Sequence, residues 1–258
     1  MLTGLRVFPD AALVQVATTE SVNPIRQFAL VTALAAAAGG SLVGVSAATS
    51  HVAAPVRTAG GAAVQVRAAP STLALLAGIP QHGTALGRKD APVTLVEFAD
   101  LQCPYCGLWA RDTLPVLVRK YVRTGSLRVE FRGLDFLGSD SAKALGAAEA
   151  AGLSNRLWTV VELLYENQGT ENTGWVTKPL LSRILDVAGL EPASVFQHVA
   201  GARVQARIDA ARQESQTLGV PGTPFFTIGR TRGAQAPLQV QSLDPPEFET
   251  AIAQALRS

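Results

Sequence analysis

Apolar and polar positions along the chain follow two regimes that change near residue 71. Between Gln27 and Val56 no residue is charged, with His51 neutral, and Phe28 to Ala47 is almost wholly apolar or small. A helix of about twenty such residues is long enough to span a bilayer. Residues 27–48 therefore read as a transmembrane anchor, as a signal peptide cut after Val45-Ser46-Ala47 or Ser46-Ala47-Ala48, or as a buried helix. Residues 1–26 are then a cytoplasmic segment or an unusually long n-region. Translation from near Val22 would shorten that region to Asn23-Pro24-Ile25-Arg26. Arg6 and Arg26 before the span are matched by Arg57 and Arg67 after it, so flanking charge does not orient it. Residues 49–71, rich in Ala, Val, Gly, Thr and Ser without a regular period, read as a flexible linker.

From residue 72 the pattern is that of a folded domain. Ile79-Pro80-Gln81-His82-Gly83 is turn-like, with His82 an exposed turn residue. Val93 to Phe98 is a short apolar run and predicts a buried strand. A helix is predicted to start at Cys103 and continue through Gly107 to about Val122. Its apolar face is Trp109, Ala110, Leu114, Leu117, Val118 and Tyr121, and Pro115 should kink it. Ser126 to Gly133 alternates as a second strand. A strand, a helix and a strand make a βαβ unit with parallel strands and a right-handed crossover. Residues 139–218 read as helical: Ala142–Ala151, Ser154–Asn167, Lys178–Ala188, Pro192–Val199 and Ala202–Leu218. Trp158 and Trp175 fall in this block as packing residues. Pro224 opens a β-branched and aromatic run, a place where a strand accepts proline. A hairpin through Thr231-Arg232-Gly233 should return along Leu238-Gln239-Val240, and Glu247 to Leu256 should form a last helix.

Composition adds two constraints. Hydrophobic residues make up 48% of the 258 and charged residues only 16%, with a net charge of +2 and no run of Lys and Arg. A basic surface for nucleic acid is therefore not predicted. The chain holds only two cysteines, Cys103 and Cys106. Keeping one CxxC and no other thiol suits an oxidising compartment, where stray cysteines would pair.

The spacing Cys103-Pro104-Tyr105-Cys106 at a helix start has a chemical meaning. The first turn of a helix offers unpaired N–H groups and the positive end of its dipole. Both stabilise a thiolate, the nucleophile of thiol–disulfide exchange. Pro104 is tolerated there because its missing N–H would have no partner. Cys106, one turn on, is placed to attack a mixed disulfide on Cys103. Two other readings compete. A structural zinc needs about four N or S ligands, and beyond the pair there are only His51, His82 and His198, scattered along the chain. A purely structural disulfide across so short a ring would constrain the unfolded chain very little. A redox dithiol is the stronger reading, with no metal. Glu97 stands alone in an apolar strand, where burial without a partner is costly.

Four motifs in order resemble a known family: Leu86-Gly87 with Asp90-Ala91-Pro92, then Phe98-Ala99-Asp100-Leu101-Gln102 leading into the CxxC, then Tyr165-Glu166-Asn167-Gln168, and Gly219-Val220-Pro221-Gly222-Thr223-Pro224. From about Thr72 to Ser258 the chain resembles the DsbA family of thiol:disulfide oxidoreductases, in its membrane-anchored, BdbD-like branch. The resemblance implies an α/β thioredoxin fold, β-α-β then β-β-α around a central mixed sheet, with an inserted all-helical subdomain at about 139–218. It implies that Cys103 attacks and Cys106 resolves, and that Pro224 is cis and faces the dithiol. Thr223 would offer backbone hydrogen bonds to a substrate strand, and Glu97 would relay protons beneath the site. Pro104-Tyr105 departs from the Pro-His of the DsbA type protein and is also found in glutaredoxins.

The implied activity is the introduction of disulfide bonds into exported proteins with free thiols. No cofactor beyond the Cys103–Cys106 disulfide is implied. Reoxidation would come from a membrane quinone reductase of the DsbB or vitamin K epoxide reductase type. The implied location is the extracytoplasmic side of the membrane, or secreted if the N-terminal segment is cleaved. The rival readings are a reductase or isomerase of the same fold, a non-catalytic anchored binding or chaperone module, and a cytosolic glutaredoxin-like enzyme.

Overall fold

A computed structural model describes residues 64–258. The stretches 1–26 and 27–48, and most of 49–71, lie outside the described residues. Among the described residues no helix is long and apolar enough to cross a membrane.

Regular structure lies within a stretch whose composition predicts a linker. A helix, α1 (Ala69–Leu76), begins inside the stretch read as linker, with Pro70 in its first turn, where proline is pre-organised for helix entry. The preceding Arg67 is tied down, its backbone N–H donating to Asn167 Oδ1 at 2.7 Å. The stretch read as a turn is a miniature hairpin of two-residue strands, β1 (Gln81–His82) and β2 (Ala85–Leu86). His82 is exposed there.

The sheet is built on β3 (Val93–Asp100), buried at every position. It is followed by α2 (Pro104–Asp112), α3 (Leu114–Leu117) and a π-helical turn over Val118–Val122. The single helix expected here breaks at Thr113. Pro115 has no N–H to give to the preceding turn, and it sits instead in the first turn of α3, where none is needed. Next comes β4 (Leu127–Leu134), parallel to β3, with Glu97 paired in register with Phe131.

Five helices follow: α4 (Ser139–Gly152), α5 (Leu157–Glu166), α6 (Lys178–Val187), α7 (Pro192–His198) and α8 (Ala202–Leu218). Helix α5 starts three residues later than expected because Asn155 adopts a left-handed φ of 57° and its side chain takes the Gly83 N–H. The chain ends with β5 (Phe225–Arg230), β6 (Gln235–Pro237) and α9 (Pro245–Arg257). The returning strand was expected at Leu238–Val240. The turn is tight, with Gly233 N–H bonding to Arg230 C=O, so Gly229 already pairs with Gln235.

Sheet order is β1-β2-β4-β3-β5-β6, with β3 parallel to β4 and antiparallel to β5. This is the mixed sheet of a thioredoxin fold, with the helical block inserted between its halves. Strand alternation sends Val93, Leu95, Glu97 and Ala99 to one face. There the main core forms with Leu127, Val129, Phe131, Phe226 and the buried sides of α2, α5 and α9. Val96 and Phe98 point the other way into a small cluster with Leu134, Val220 and Phe225. Trp158 is fully buried, edge-on to Phe131 at 6.0 Å, and its indole N–H donates to Thr84 C=O. Trp175 packs at the core margin.

Candidate active site

The C-terminal end of β3 delivers the chain straight into α2, and Cys103 occupies the N-cap of that helix with Pro104 at its first position. The turn is held from below. Asp100 C=O accepts the Cys103 N–H at 3.0 Å. The Asp100 carboxylate accepts from Gln102 N–H, Leu137 N–H and the Ser141 hydroxyl at 2.8, 3.1 and 2.6 Å. Gln102 is in turn fixed by Leu137 C=O, Ser141 and Asn172. These buried bonds leave the CxxC turn little freedom.

From the side, Gln168 Nε2 donates to the carbonyls of Leu101 and Cys103, both at 3.0 Å. Gly107 makes room for this contact. A Cβ added there would stand 2.5 Å from Gln168 Oε1 and 2.8 Å from an Arg111 guanidinium nitrogen. Arg111 donates to Tyr165 C=O, and the Tyr165 hydroxyl reaches Asp100 C=O at 3.4 Å.

The structure brings Cys103, Cys106, Thr223, Pro224 and Glu97 together. The Thr223–Pro224 peptide is cis. Cys103 Sγ–H donates to the Thr223 carbonyl at 3.2 Å. Both cysteines are present as thiols. Cys103 retains 5% of its surface and Cys106 none, so an incoming sulfur reaches Cys103 alone. Beside it, Tyr105 is 63% exposed, its ring a flat apolar surface at the rim while its amide faces Cys103.

The two thiols differ in acidity. Hydrogen bonding from the Cys106 side chain, aided by the Thr223 side chain and the Cys106 and Tyr105 amides, outweighs burial and lowers the Cys103 pKa to about 6. Burial pushes Cys106 well above the ordinary thiol range, with the neighbouring Cys103 and Glu97 charges adding to the rise. One sulfur is therefore a thiolate at neutral pH and the other a neutral thiol that can lend it a proton.

Glu97 lies beneath the pair, flanked in the sheet by Phe131 on one side and Phe226 on the other. It is 1% exposed, and neither carboxyl oxygen has a hydrogen-bond partner. Burial first, then the Glu162 and Cys103 charges, raises its pKa well above the usual carboxylate range. A carboxyl held toward its protonated form beneath a buried thiol is chemically able to donate a proton.

Sequence reasoning found the dithiol, Glu97 and the Thr223-Pro224 loop. It quoted Asp100, Gln102, Tyr165 and Gln168 only as motif letters, and did not single out Ser141, Arg111 or Glu162. The contacts from Ser141 to Asp100 and from Arg111 to Tyr165 cross 41 and 54 residues of chain, which no local pattern reports.

Residues 81–244 match the Thioredoxin family. The chain is 32% identical over 150 residues to the probable disulfide bond formation protein D of Bacillus anthracis, covering 56% of this chain and 68% of that one. With the Bacillus cereus protein of the same description it shares 28% over 148 residues, again 68% of that chain. Among solved structures, oxidised BdbD from Bacillus subtilis superposes with a TM-score of 0.60 at 23% identity, over 70% of this chain and 98% of that one; at that identity the likeness speaks for the fold.

Proposed function

The chain belongs to the thioredoxin family, as a thiol:disulfide oxidoreductase of the DsbA type, and from that premise we propose that it introduces disulfide bonds into exported proteins through Cys103 and Cys106. In the oxidised enzyme a substrate thiolate attacks Cys103 Sγ. As that bond forms, the Cys103–Cys106 bond breaks and its electron pair leaves on Cys106, which takes the proton held by Glu97. A second substrate thiolate attacks the substrate sulfur of the mixed disulfide and expels Cys103 as a thiolate. The substrate has gained a disulfide, and the enzyme holds the two electrons as a dithiol. The two sulfurs carry all of this chemistry, with no further cofactor. Reoxidation is assigned to a membrane partner, a quinone reductase of the DsbB or vitamin K epoxide reductase type.

The carrying observation is the acidity of Cys103, about 6 against 9.0 for an ordinary thiol. A stabilised thiolate makes the reduced enzyme the favoured state, which is the condition for an oxidant. Work outside the cytoplasm is supported by the economy of two cysteines in 258 residues. The same fold run as a reductase is favoured by one feature, Tyr105, which offers no positive charge to the thiolate.

Equilibrating the full chain against glutathione separates the two. A reduction potential near about −120 mV marks an oxidase, and one near about −270 mV, the thioredoxin end of the scale, overturns that reading.

A further inference from the structure

We infer that Glu162 is a positioning residue for the proton that moves at Cys106, linking Glu97 to the protein surface; this rests on the reading of Glu97 as the proton donor. Glu97 cannot reach solvent by itself, since it is 1% exposed between Phe131 and Phe226. Once Cys106 has taken its proton, Glu97 is left ionised in the core without a partner, and it needs a route by which to regain a proton.

The geometry supplies one on α5. Residues 158, 162 and 165 follow helical spacing and share one face. Trp158 on that face packs on Phe131, the register partner of Glu97, and the Tyr165 hydroxyl reaches Asp100 C=O at the far end of the same strand. Glu162 lies between these two anchors, over the segment of β3 that carries Glu97. It is 5% exposed, and its Oε1 is buried without a hydrogen-bond partner. A lone buried carboxyl of this kind is expensive to fold, and among the described residues no ion pair with an arginine or lysine compensates it.

The charged groups around it define a direction. Glu97 of β3 feels the Glu162 charge. Burial holds Glu162 itself well above the ordinary carboxylate range, with half-exposed Glu166 one turn on raising it further and Arg111 of α2 opposing. Of the other helices packed on α5, α1 has no titratable residue, and no charged group of α4 or α6 acts on Glu162. Two carboxyls whose burial favours the neutral form can exchange one proton without placing two charges in the core. In substrate oxidation the proton runs from the surface at Glu166 through Glu162 and Glu97 to the leaving Cys106 sulfur. In reoxidation it runs back: Glu97 passes its proton outward through Glu162 and takes that of Cys106 S–H, the Cys106 thiolate attacks Cys103 Sγ, and the partner sulfur leaves.

The test is single-turnover reduction of the oxidised full chain by dithiothreitol across pH, followed by the fluorescence of Trp109, three residues beyond Cys106. Glu97→Gln should slow the step about 100-fold, the lower end of what a positioned acid contributes. Glu162→Gln should slow it about tenfold and displace the pH profile, Glu162→Asp should restore most of the rate, and the double variant should be no slower than Glu97→Gln alone. A Glu162→Gln protein with the wild-type profile, beside a slow Glu97→Gln, overturns the role of Glu162 and leaves that of Glu97. An unaffected Glu97→Gln overturns both. A uniform loss of rate with the profile unmoved and no rescue by aspartate marks Glu162 as structural and overturns the inference.

Discussion

On the outer side of β4, Glu130 lies between Arg128 and Arg132, and Arg132 goes on to Glu214 of α8 at 2.7 Å. Nearby, Asp135 takes Arg212 at 3.2 Å. On the inner side of neighbouring β3, Glu97 is more deeply buried than any of these, and both its oxygens lack a donor. Among the described residues, no lysine or arginine pairs with it. On the outer side each of those carboxylates carries its countercharge, which makes burial affordable in solvation terms. Under the dithiol an arginine would hold Glu97 ionised and stop it from giving up a proton. The unpaired carboxyls therefore mark the working face of the sheet, and the paired ones mark the supporting face.

The largest effect that bears on this comparison is at the sulfurs. Cys103→Ser should lower the oxidation of a dithiol peptide by roughly 10⁴-fold or more, the scale on which removal of a covalent nucleophile acts in other enzymes. Cys106→Ser, given the peptide in its disulfide form, should retain attack by Cys103 on that disulfide and accumulate a mixed disulfide, visible as a mass adduct on the intact protein. If Cys106→Ser accumulated none while Cys103→Ser did, the assignment of attacking and resolving sulfur would be reversed.

The next effect is in stability against pH. The Cys103 pKa is depressed from 9.0 to about 6 in the folded protein. Its ionisation thus adds stability that is fully present above about 9, shrinks as pH falls, and is gone below about 6. The unfolding free energy of the reduced chain, measured against Cys103→Ser, should rise across that window by no more than about 1.4 kcal/mol per pH unit, up to about 4 in all. A flat difference from pH 6 to 9 would remove the stabilised thiolate and with it the case for an oxidant.

How much of this was legible in advance follows from range and periodicity. Glu97 was visible because one charged residue interrupts a continuous apolar strand. Cys103 was visible because the strand-to-helix transition could be located on either side of it. Glu162 was not. In Ser154–Asn167 the apolar positions Leu157, Val160, Val161, Leu163 and Leu164 imply a helix with a solvent side, which would hold Glu162. In fact every residue from Leu157 to Tyr165 is buried, because α5 is covered by α1, α2, α4 and α6, and its Trp158 packs on Phe131 of the sheet. Periodicity reports a half-buried helix and has nothing to say once all sides are covered. Strands β1 and β2 escaped for a different reason: two residues carry no alternation to read.

Glu97→Leu sharpens the contrast between the faces. It keeps the side-chain volume and removes two unpartnered oxygens from the core. It should stabilise the fold by about 1–3 kcal/mol in chemical denaturation, the cost of an unsatisfied buried polar group, while slowing single-turnover reduction as Glu97→Gln does. A Glu97→Leu protein that was both less stable and slower would mean that Glu97 has a structural partner, and the sheet's two faces would no longer differ in kind.

The smallest effect tests the other face. Arg132 is about three-quarters buried and bridges two carboxylates, on Glu130 and Glu214. Arg132→Ala leaves Glu214 half-solvated but strips Glu130 of one of its two arginines, with Arg128 remaining. The loss should be about 1 kcal/mol, at the upper end of what exposed pairs contribute and well short of orphaning a fully buried charge. A double-mutant cycle with Glu214→Gln should recover part of that loss as coupling, and the coupling should weaken in high salt. The decisive readout is kinetic: single-turnover rates and the Cys103 titration should stay within about twofold of wild type, because nothing on this face exchanges a proton with the dithiol. A shift in the Cys103 titration on removal of Arg132 would show that the supporting face also tunes the thiolate through the sheet, and the division of labour between paired and unpaired carboxylates would have to be redrawn around β3 itself.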